Sequence, residues 1–224
     1  LLVSNANGEW LWRPLDNSKY LRISDFADEN PKGFGLLQRD RDLSNYLDFE
    51  SHYEQRPSVW VEPVGDWGKG VVELIEIPSD QEIHDNVVAY WVSDEKVTAG
   101  QELRYTYNLH WFTDLPVEKI PGAVTATRTG IGGVSGQQEI EKRKFVIDFD
   151  ILNMQEEVEK GIAVLETSAS EGKIVQQQLV YNPTTGGLTA YIDFKPNGKI
   201  SELRASVVKK GRHISEIWSY QWLP

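Results

Sequence analysis

Cysteine is absent from the 224 residues, so disulfides and thiolate metal sites are excluded. A chain without thiols is at home in any compartment, and it suits an oxidising one. No apolar run approaches the roughly 18–20 residues that a membrane helix requires, so an integral membrane protein is not expected. Nor is there a basic start followed by an apolar core and a cleavage site. Leu1-Leu2-Val3 runs straight into Ser4-Asn5-Ala6-Asn7-Gly8, and a start in mid-strand style without Met leads us to expect further chain upstream. The four histidines (His52, His84, His110, His213) form no close pair at metal-ligand spacing, which leaves no expected metal site. Ser79 and Ser135 lack the context of a nucleophile elbow. Gly130-Ile131-Gly132-Gly133 precedes no helix pattern, so it is read as a Gly-rich linker rather than a dinucleotide fingerprint. No cofactor is expected.

Basic charge is scarce in one half only. Up to Leu115 there are 21 acidic and 10 basic residues, and from Pro116 onward 13 of each. The whole net charge of −11 therefore sits on the first half. Nucleic acid and anionic membrane surfaces would be repelled by it, whereas a neutral polar ligand such as a sugar would not. Hydrophobic residues at 40 % and charged residues at 25 % provide for an ordinary packed core.

Helical periodicity is also thin. Asp42–Gln55 is compatible with a helix, a strand or a loop, and Asn153–Lys160 with one helical turn or a charged connection. Elsewhere apolar residues alternate with period two, as strands require. Glu73–Ile77 is a strand closed by Pro78. Val87–Val92 is a nearly continuous apolar run, as expected of a strand buried on both faces. Leu103–Trp111 alternates over nine residues. Later strands are read at 144–151, 174–181, 188–194, 200–208 and 214–222, with turn signals at Asn182-Pro183 to Gly187, Pro196-Asn197-Gly198 and Lys210-Gly211. The fold expected is all-β: residues 1–112 as part of a large sandwich, a linker at 113–124, and an immunoglobulin-like sandwich at 125–224.

Chemistry is expected in the first module. Six of the eight Trp residues (Trp10, Trp12, Trp60, Trp67, Trp91, Trp111) lie there. Sugar rings present apolar C–H faces on which aromatic rings stack, while carboxylates and Arg bond the hydroxyls. Trp91 and Trp111 fall on strand patterns and are read as core. Trp60 and Trp67 flank the loop-like Glu62-Pro63-Val64-Gly65-Asp66, where binding and packing are equally compatible. Gly33-Phe34-Gly35-Leu36-Leu37-Gln38-Arg39-Asp40-Arg41-Asp42 reads as a loop held by its own ion pairs or as a polar cleft wall, against the alternative of a solvated face. Four carboxylates (Glu76, Asp80, Glu82, Asp85) crowd the stretch from Glu76 to Asn86. Crowding of that kind raises carboxyl pKa values toward those of a general acid, although an exposed acidic loop need do nothing.

These stretches, together with Gly8-Glu9-Trp10-Leu11-Trp12-Arg13-Pro14-Leu15, Tyr53-Glu54-Gln55-Arg56-Pro57-Ser58-Val59-Trp60-Val61-Glu62-Pro63, Gly65-Asp66-Trp67-Gly68 and Asp85-Asn86-Val87-Val88-Ala89-Tyr90-Trp91, resemble the periplasmic glucan biosynthesis proteins. These are the G and D group that acts on osmoregulated periplasmic glucans of Gram-negative bacteria. The resemblance implies a galactose-mutarotase-like sandwich followed by an immunoglobulin-like one, and a periplasmic location. It also implies an inverting β-1,2-glucan hydrolase in which Asp85 is the general acid and Glu82, three residues before it, belongs to the catalytic stretch. Tyr53, Arg39, Arg56, Trp60, Glu62, Asp66 and Trp67 would bind substrate. Inversion needs a second carboxylate to steer a water, and in the family it lies upstream of Leu1, so this chain alone is expected to be inactive. The partners implied are a β-glucan and the upstream portion of the same protein, with a homodimer left open. The rival reading is a non-catalytic glucan-binding factor that assists synthesis or branching. The second module is read as a packing or spacing domain.

Overall fold

Each segment of period-two alternation contains a strand, although residues 103–105 and 214–216 fall outside the strands that follow them. The computed structural model describes residues 1–81, 83–113, 120, 122–134 and 136–224. In chain order the first strands are β1 (Leu2–Ser4), β2 (Trp10–Trp12), β3 (Arg22–Glu29), β4 (Gly33–Leu36) and β5 (Ser58–Val64). They are followed by β6 (Lys69–Glu76), β7 (Val87–Ser93), β8 (Thr106–Phe112), β9 (Val124–Val134) and β10 (Gln137–Phe149). The remainder are β11 (Ala163–Ala169), β12 (Lys173–Tyr181), β13 (Leu188–Lys195), β14 (Ser201–Lys209), β15 (Arg212–His213) and β16 (Ile217–Trp222). The one α-helix among the described residues, α1 (Gln155–Glu159), is a single turn, and Asp42–Gln55 holds two short 3-10 turns (Leu43–Asn45 and Tyr53–Gln55). The fold is all-β, as the alternation implies. The chain divides into two units, one of Leu1–Glu9 and Leu15–Glu118, the other of Trp10–Pro14 and Lys119–Pro224.

In the first unit one antiparallel sheet runs β1-β4-β5-β8 and a second runs β3-β6-β7. Two glycines of the Gly33-Phe34-Gly35 stretch allow β4 to lie tight on β5. A Cβ on Gly33 would stand 2.3 Å from the Trp60 ring, and one on Gly35 would stand 2.1 Å from the Val59 carbonyl oxygen. Trp60 is buried over this glycine surface. Trp67 is buried as well: its indole meets Trp91 of β7 and Tyr107 of β8 edge-on or tilted, and its Nε1–H donates to the Thr106 carbonyl at 3.1 Å. Residues 62–64, loop-like in sequence, continue β5 past the end of its pairing with β4 at Val61. There Pro63 has only β8 as a partner, a position at which a missing N–H is tolerated.

Two burial expectations are corrected. Val87–Val92 is not covered on both faces, since Val88, Tyr90 and Val92 are exposed. Trp111 is not core but 66 % exposed on β8. Both strands also end their sheets, and among the described residues the faces carrying these side chains are left uncovered. A run of apolar residues does not say whether a second layer covers each face of a strand, and here these faces are open.

The second unit is a two-layer sandwich. One layer is β11-β14-β16-β2 with β15 added to β14, and the other is β12-β13-β10-β9. Inward positions of both layers meet in one core that includes Phe145, Ile147, Phe149, Ile192, Phe194, Leu203, Val207 and Trp218. Trp218 stacks on Tyr220, meets Phe145 edge-on and donates its indole N–H to Thr127 Oγ1 at 3.0 Å. Strand β2 pairs parallel with β16, setting Trp12 beside Trp218, and it packs Trp12 against that core. The Gly-rich stretch 130–133 is strand β9 rather than linker. A Cβ at Gly132 would fall 2.4 Å from the Lys142 Cβ, so glycine here serves close approach of β10, where the register jumps between Glu139 and Arg143.

Candidate functional site

The site is built where the β6–β7 connection meets the turn before β5. Strand β6 ends in Glu76, which is buried and paired with the buried Arg22 at 3.4 Å. Glu76 also accepts the Asp16 N–H at 2.9 Å. One of the four crowded carboxylates is thus withdrawn into an ion pair, and it takes no part in an exposed acidic loop. The connection is closed at its neck by Asn86. Its carbonyl accepts the Ile77 N–H at 2.7 Å, and its side-chain amide donates to the Ile77 carbonyl at 3.0 Å.

Within the loop Ser79 is the hub. Its hydroxyl donates to the Gln81 carbonyl at 2.7 Å and accepts the Gln81 N–H at 3.2 Å. His84 Nδ1 lies 3.2 Å from the same oxygen. The only hydroxyl proton is already committed, so His84 meets Ser79 as an Nδ1–H donor. Asn17, from the segment before β3, bonds the Ser79 main chain in both directions: Nδ2 donates to the carbonyl at 2.6 Å and Oδ1 accepts the N–H at 3.1 Å.

The opposite side is the 3-10 turn Tyr53–Gln55, entered through His52 in the left-handed region at φ 46°. Arg41 fixes this turn by donating to two main-chain carbonyls, Glu54 at 2.8 Å and Arg56. Tyr53 stacks on Tyr46 with centroids 5.6 Å apart, and the Arg56 guanidinium lies over the Tyr53 ring at 4.4 Å. Such a cation over an aromatic face holds both side chains in place.

Between these two elements opens a cavity of about 700 Å³, within the ordinary range for a small-molecule site. Its walls include Tyr53, Arg56, Asp80, Asp85 and the amides of Asn17 and Asn86. Asp85 is solvent-exposed, and among the described residues its carboxylate has no hydrogen-bond or ion-pair partner. The lining residues bring carboxylates, amides, a guanidinium and a phenol, the set that hydroxyl-rich ligands use.

The structure brings Asp85, Tyr53 and Arg56 to this cavity and places Trp60, Trp67, Asp66, Glu62 and Arg39 outside its walls. Trp60 and Trp67 are buried in the first unit, and Asp66 sits in the exposed turn between β5 and β6. Glu62 lies on the exposed face of β5 and accepts from His110 Nε2 at 2.9 Å and Asn108 Nδ2 at 3.3 Å. The His110 bond, with that of Asn108, holds its carboxyl below the usual glutamate range. Arg39, in the segment after β4, is not among the cavity walls, and Glu82 lies outside the described residues. Asn17 carries no signal in the sequence, while Ser79 and His84 are set aside there as nucleophile and metal ligand, and Arg41 is named only within the Gly33–Asp42 stretch. Asn17 reaches the loop across 62 positions, a contact that only the β3–β6 pairing creates. Among the described residues no group of three or more His, Cys, Asp or Glu could hold a metal ion, and no helix is long and apolar enough to cross a membrane.

Comparison with known proteins accounts for the whole chain. Residues 1–222 match the family described as "Periplasmic glucan biosynthesis protein, MdoG". A relative from Shewanella oneidensis, named "Probable glucans biosynthesis protein D", is 44 % identical over 231 residues that cover 100 % of this chain and 42 % of the relative. "Glucans biosynthesis protein G" of Rhodopseudomonas palustris is 44 % identical over 99 % of this chain and 43 % of its own length. Its namesake from Shewanella frigidimarina is 41 % identical, covering 99 % and 39 %. The chain therefore spans about two fifths of the length of these relatives. With a match running from β1 through β16, and with the cavity loop and the turn facing it both inside it, the chain belongs to the periplasmic glucan biosynthesis protein family.

Proposed function

We propose that the full-length protein of which this chain is a part hydrolyses the β-1,2-linked backbone of periplasmic glucans with inversion, and that Asp85 is its general acid. The observation that carries this reading is the convergence of Asp85, Tyr53 and Arg56 on one polar cavity from two separate elements. Relatives at 41–44 % identity are named for glucan biosynthesis, which supports a glucan as the ligand. The net negative charge of the first half likewise favours a neutral polysaccharide over an anionic partner.

In this scheme a β-glucan lies in the cavity with one glycosidic oxygen at Asp85. The Asp85 proton passes to that oxygen as its bond to the anomeric carbon breaks. A water adds to the anomeric carbon from the opposite face, giving up its proton to a second carboxylate held by the part of the protein outside this chain. The Arg56 guanidinium and the Tyr53 hydroxyl are the groups on this wall that can bond sugar hydroxyls, the Tyr53 ring itself being stacked on Tyr46 and capped by Arg56.

The test uses the full-length protein and linear β-1,2-glucan, with Asp85→Asn beside it. The parent should release oligosaccharides, and the variant should lose about 10²–10⁴-fold in rate, the usual contribution of a positioned acid. If the parent releases none while still binding the glucan, the hydrolase reading fails and a binding factor remains.

A further inference from the structure

We infer that Asn17 is a positioning residue for Asp85, acting as a two-way amide clamp on the loop that carries it; this rests on the proposed role of Asp85 as the acid. Asp85 has no side-chain partner among the described residues, so among them it is the loop main chain that locates its carboxylate. Among the described residues that main chain is anchored at two places. At the neck, Asn86 bonds both to and from Ile77. At mid-loop, Asn17 does the same to Ser79 through its side chain, imitating the paired N–H and C=O of a neighbouring strand. The hydroxyl of Ser79 then transmits the anchor inward to Gln81 and to His84, the residue before Asp85.

The clamp is itself fixed from below. Asp16, adjacent to Asn17, donates its N–H to Glu76, and Glu76 is held by Arg22 in a buried pair. The base of the loop and the segment that grips it therefore share one buried carboxylate. Asn17 is exposed at the cavity wall rather than packed, so its truncation removes two loop bonds while leaving the core untouched. Misplacement of a reacting group by about 1 Å costs on the order of 10²-fold in rate, and loss of a mid-loop anchor permits movement of that size.

The experiment compares full-length wild type, Asn17→Ala, Asn17→Asp and Asp85→Asn on linear β-1,2-glucan, with amide exchange over residues 77–86 measured in parallel. Asn17→Ala should lower kcat about 10–100-fold with KM within about 2-fold, and it should speed exchange in this loop alone. Asn17→Asp keeps the acceptor for the Ser79 N–H and loses the donor, so its kcat should fall between those of wild type and Asn17→Ala. An active wild type with Asn17→Ala at unchanged kcat, or with KM raised and kcat intact, overturns the positioning role; the second result would make Asn17 a substrate ligand. Unchanged exchange at 77–86 overturns the clamp. An inactive wild type sinks the hydrolase reading first, and that outcome is seen before any Asn17 variant is compared.

Discussion

At the scale of single residues, the glycines near β4 carry more of the fold than their charged neighbours. Gly33 faces the buried Trp60 indole so closely that any β-carbon would overlap the ring at 2.3 Å. Trp60 cannot swing out without exposing a side chain now only 7 % accessible. Gly33→Ala should therefore destabilise the first unit by about 1–3 kcal/mol, the usual cost of forcing an extra carbon into a packed site. Denaturant unfolding followed by Trp fluorescence measures this, and a change below about 0.5 kcal/mol would mean that the ring relocates freely, against that usual overpacking cost. The charged residues after β4 act locally. Arg41 spends its donors on the main chain at Glu54 and Arg56, which sets the turn carrying Tyr53. From the sequence, Arg39 and Arg41 are indistinguishable in composition and context, so which of them braces the turn was not legible.

At the scale of elements, the exposed face of β3-β6-β7 contains one row out of keeping with its surroundings. Asp25, Glu73 and Tyr90 are register partners across the three strands, and the Tyr90 hydroxyl bonds to Glu73. The rows on either side are apolar: Ile23, Ile75 and Val88 on one, Ala27, Val71 and Val92 on the other. Partial burial in this apolar setting, reinforced by the Glu73 carboxylate opposite, raises the Asp25 pKa above the ordinary aspartate range. A carboxyl with a raised folded-state pKa contributes most to stability below its unfolded value, and that contribution is lost as pH rises through the folded value. Asp25→Asn should thus stabilise the protein at pH 7, with the gain shrinking toward zero as pH falls to about 4, near the unperturbed aspartate value. Solvent screening of so exposed a pair limits the gain to a few tenths of a kcal/mol. Thermal unfolding at the two pH values tests the sign, and an advantage that grows on acidification would contradict it.

The same elements mark what could be read in advance. Strand existence followed from alternation in β6, β10, β13 and β14, since one face of each is buried and period two is then obligatory. The acidic loop and the Tyr53-to-Arg56 turn stood out by residue type. Burial at β7 and β8 was misjudged because a continuous apolar run carries no information on whether a neighbour lies across each face. The strand at Gly130–Gly133 was missed because glycine propensity argues against strands, whereas its use here is to admit Lys142 at close range. The reach of Asn17 to Ser79 depends on register between strands far apart in sequence, which no local pattern encodes.

At the scale of the whole molecule, the two units differ in how much apolar surface they enclose. The second gathers Phe145, Ile147, Phe149, Ile192, Phe194 and Trp218 into one core fed by both layers. The first encloses fewer large side chains and leaves Tyr107, Leu109 and Trp111 of β8 exposed, as well as Val88 and Val92 of β7. Local opening free energy follows buried apolar contact and main-chain pairing. In the 224-residue chain, amide exchange should therefore be slowest in β10, β13 and β14, paired on both sides within the second unit, and fastest in β7 and β8 at the sheet ends. In a longer protein of the relatives' length, any further chain that packs on β7 and β8 should raise their protection while that of β10 and β13 stays constant. Equal protection of β8 and β13 in the isolated chain would contradict this account, because it would require the exposed face of β8 to be as costly to open as the Phe145 and Trp218 core.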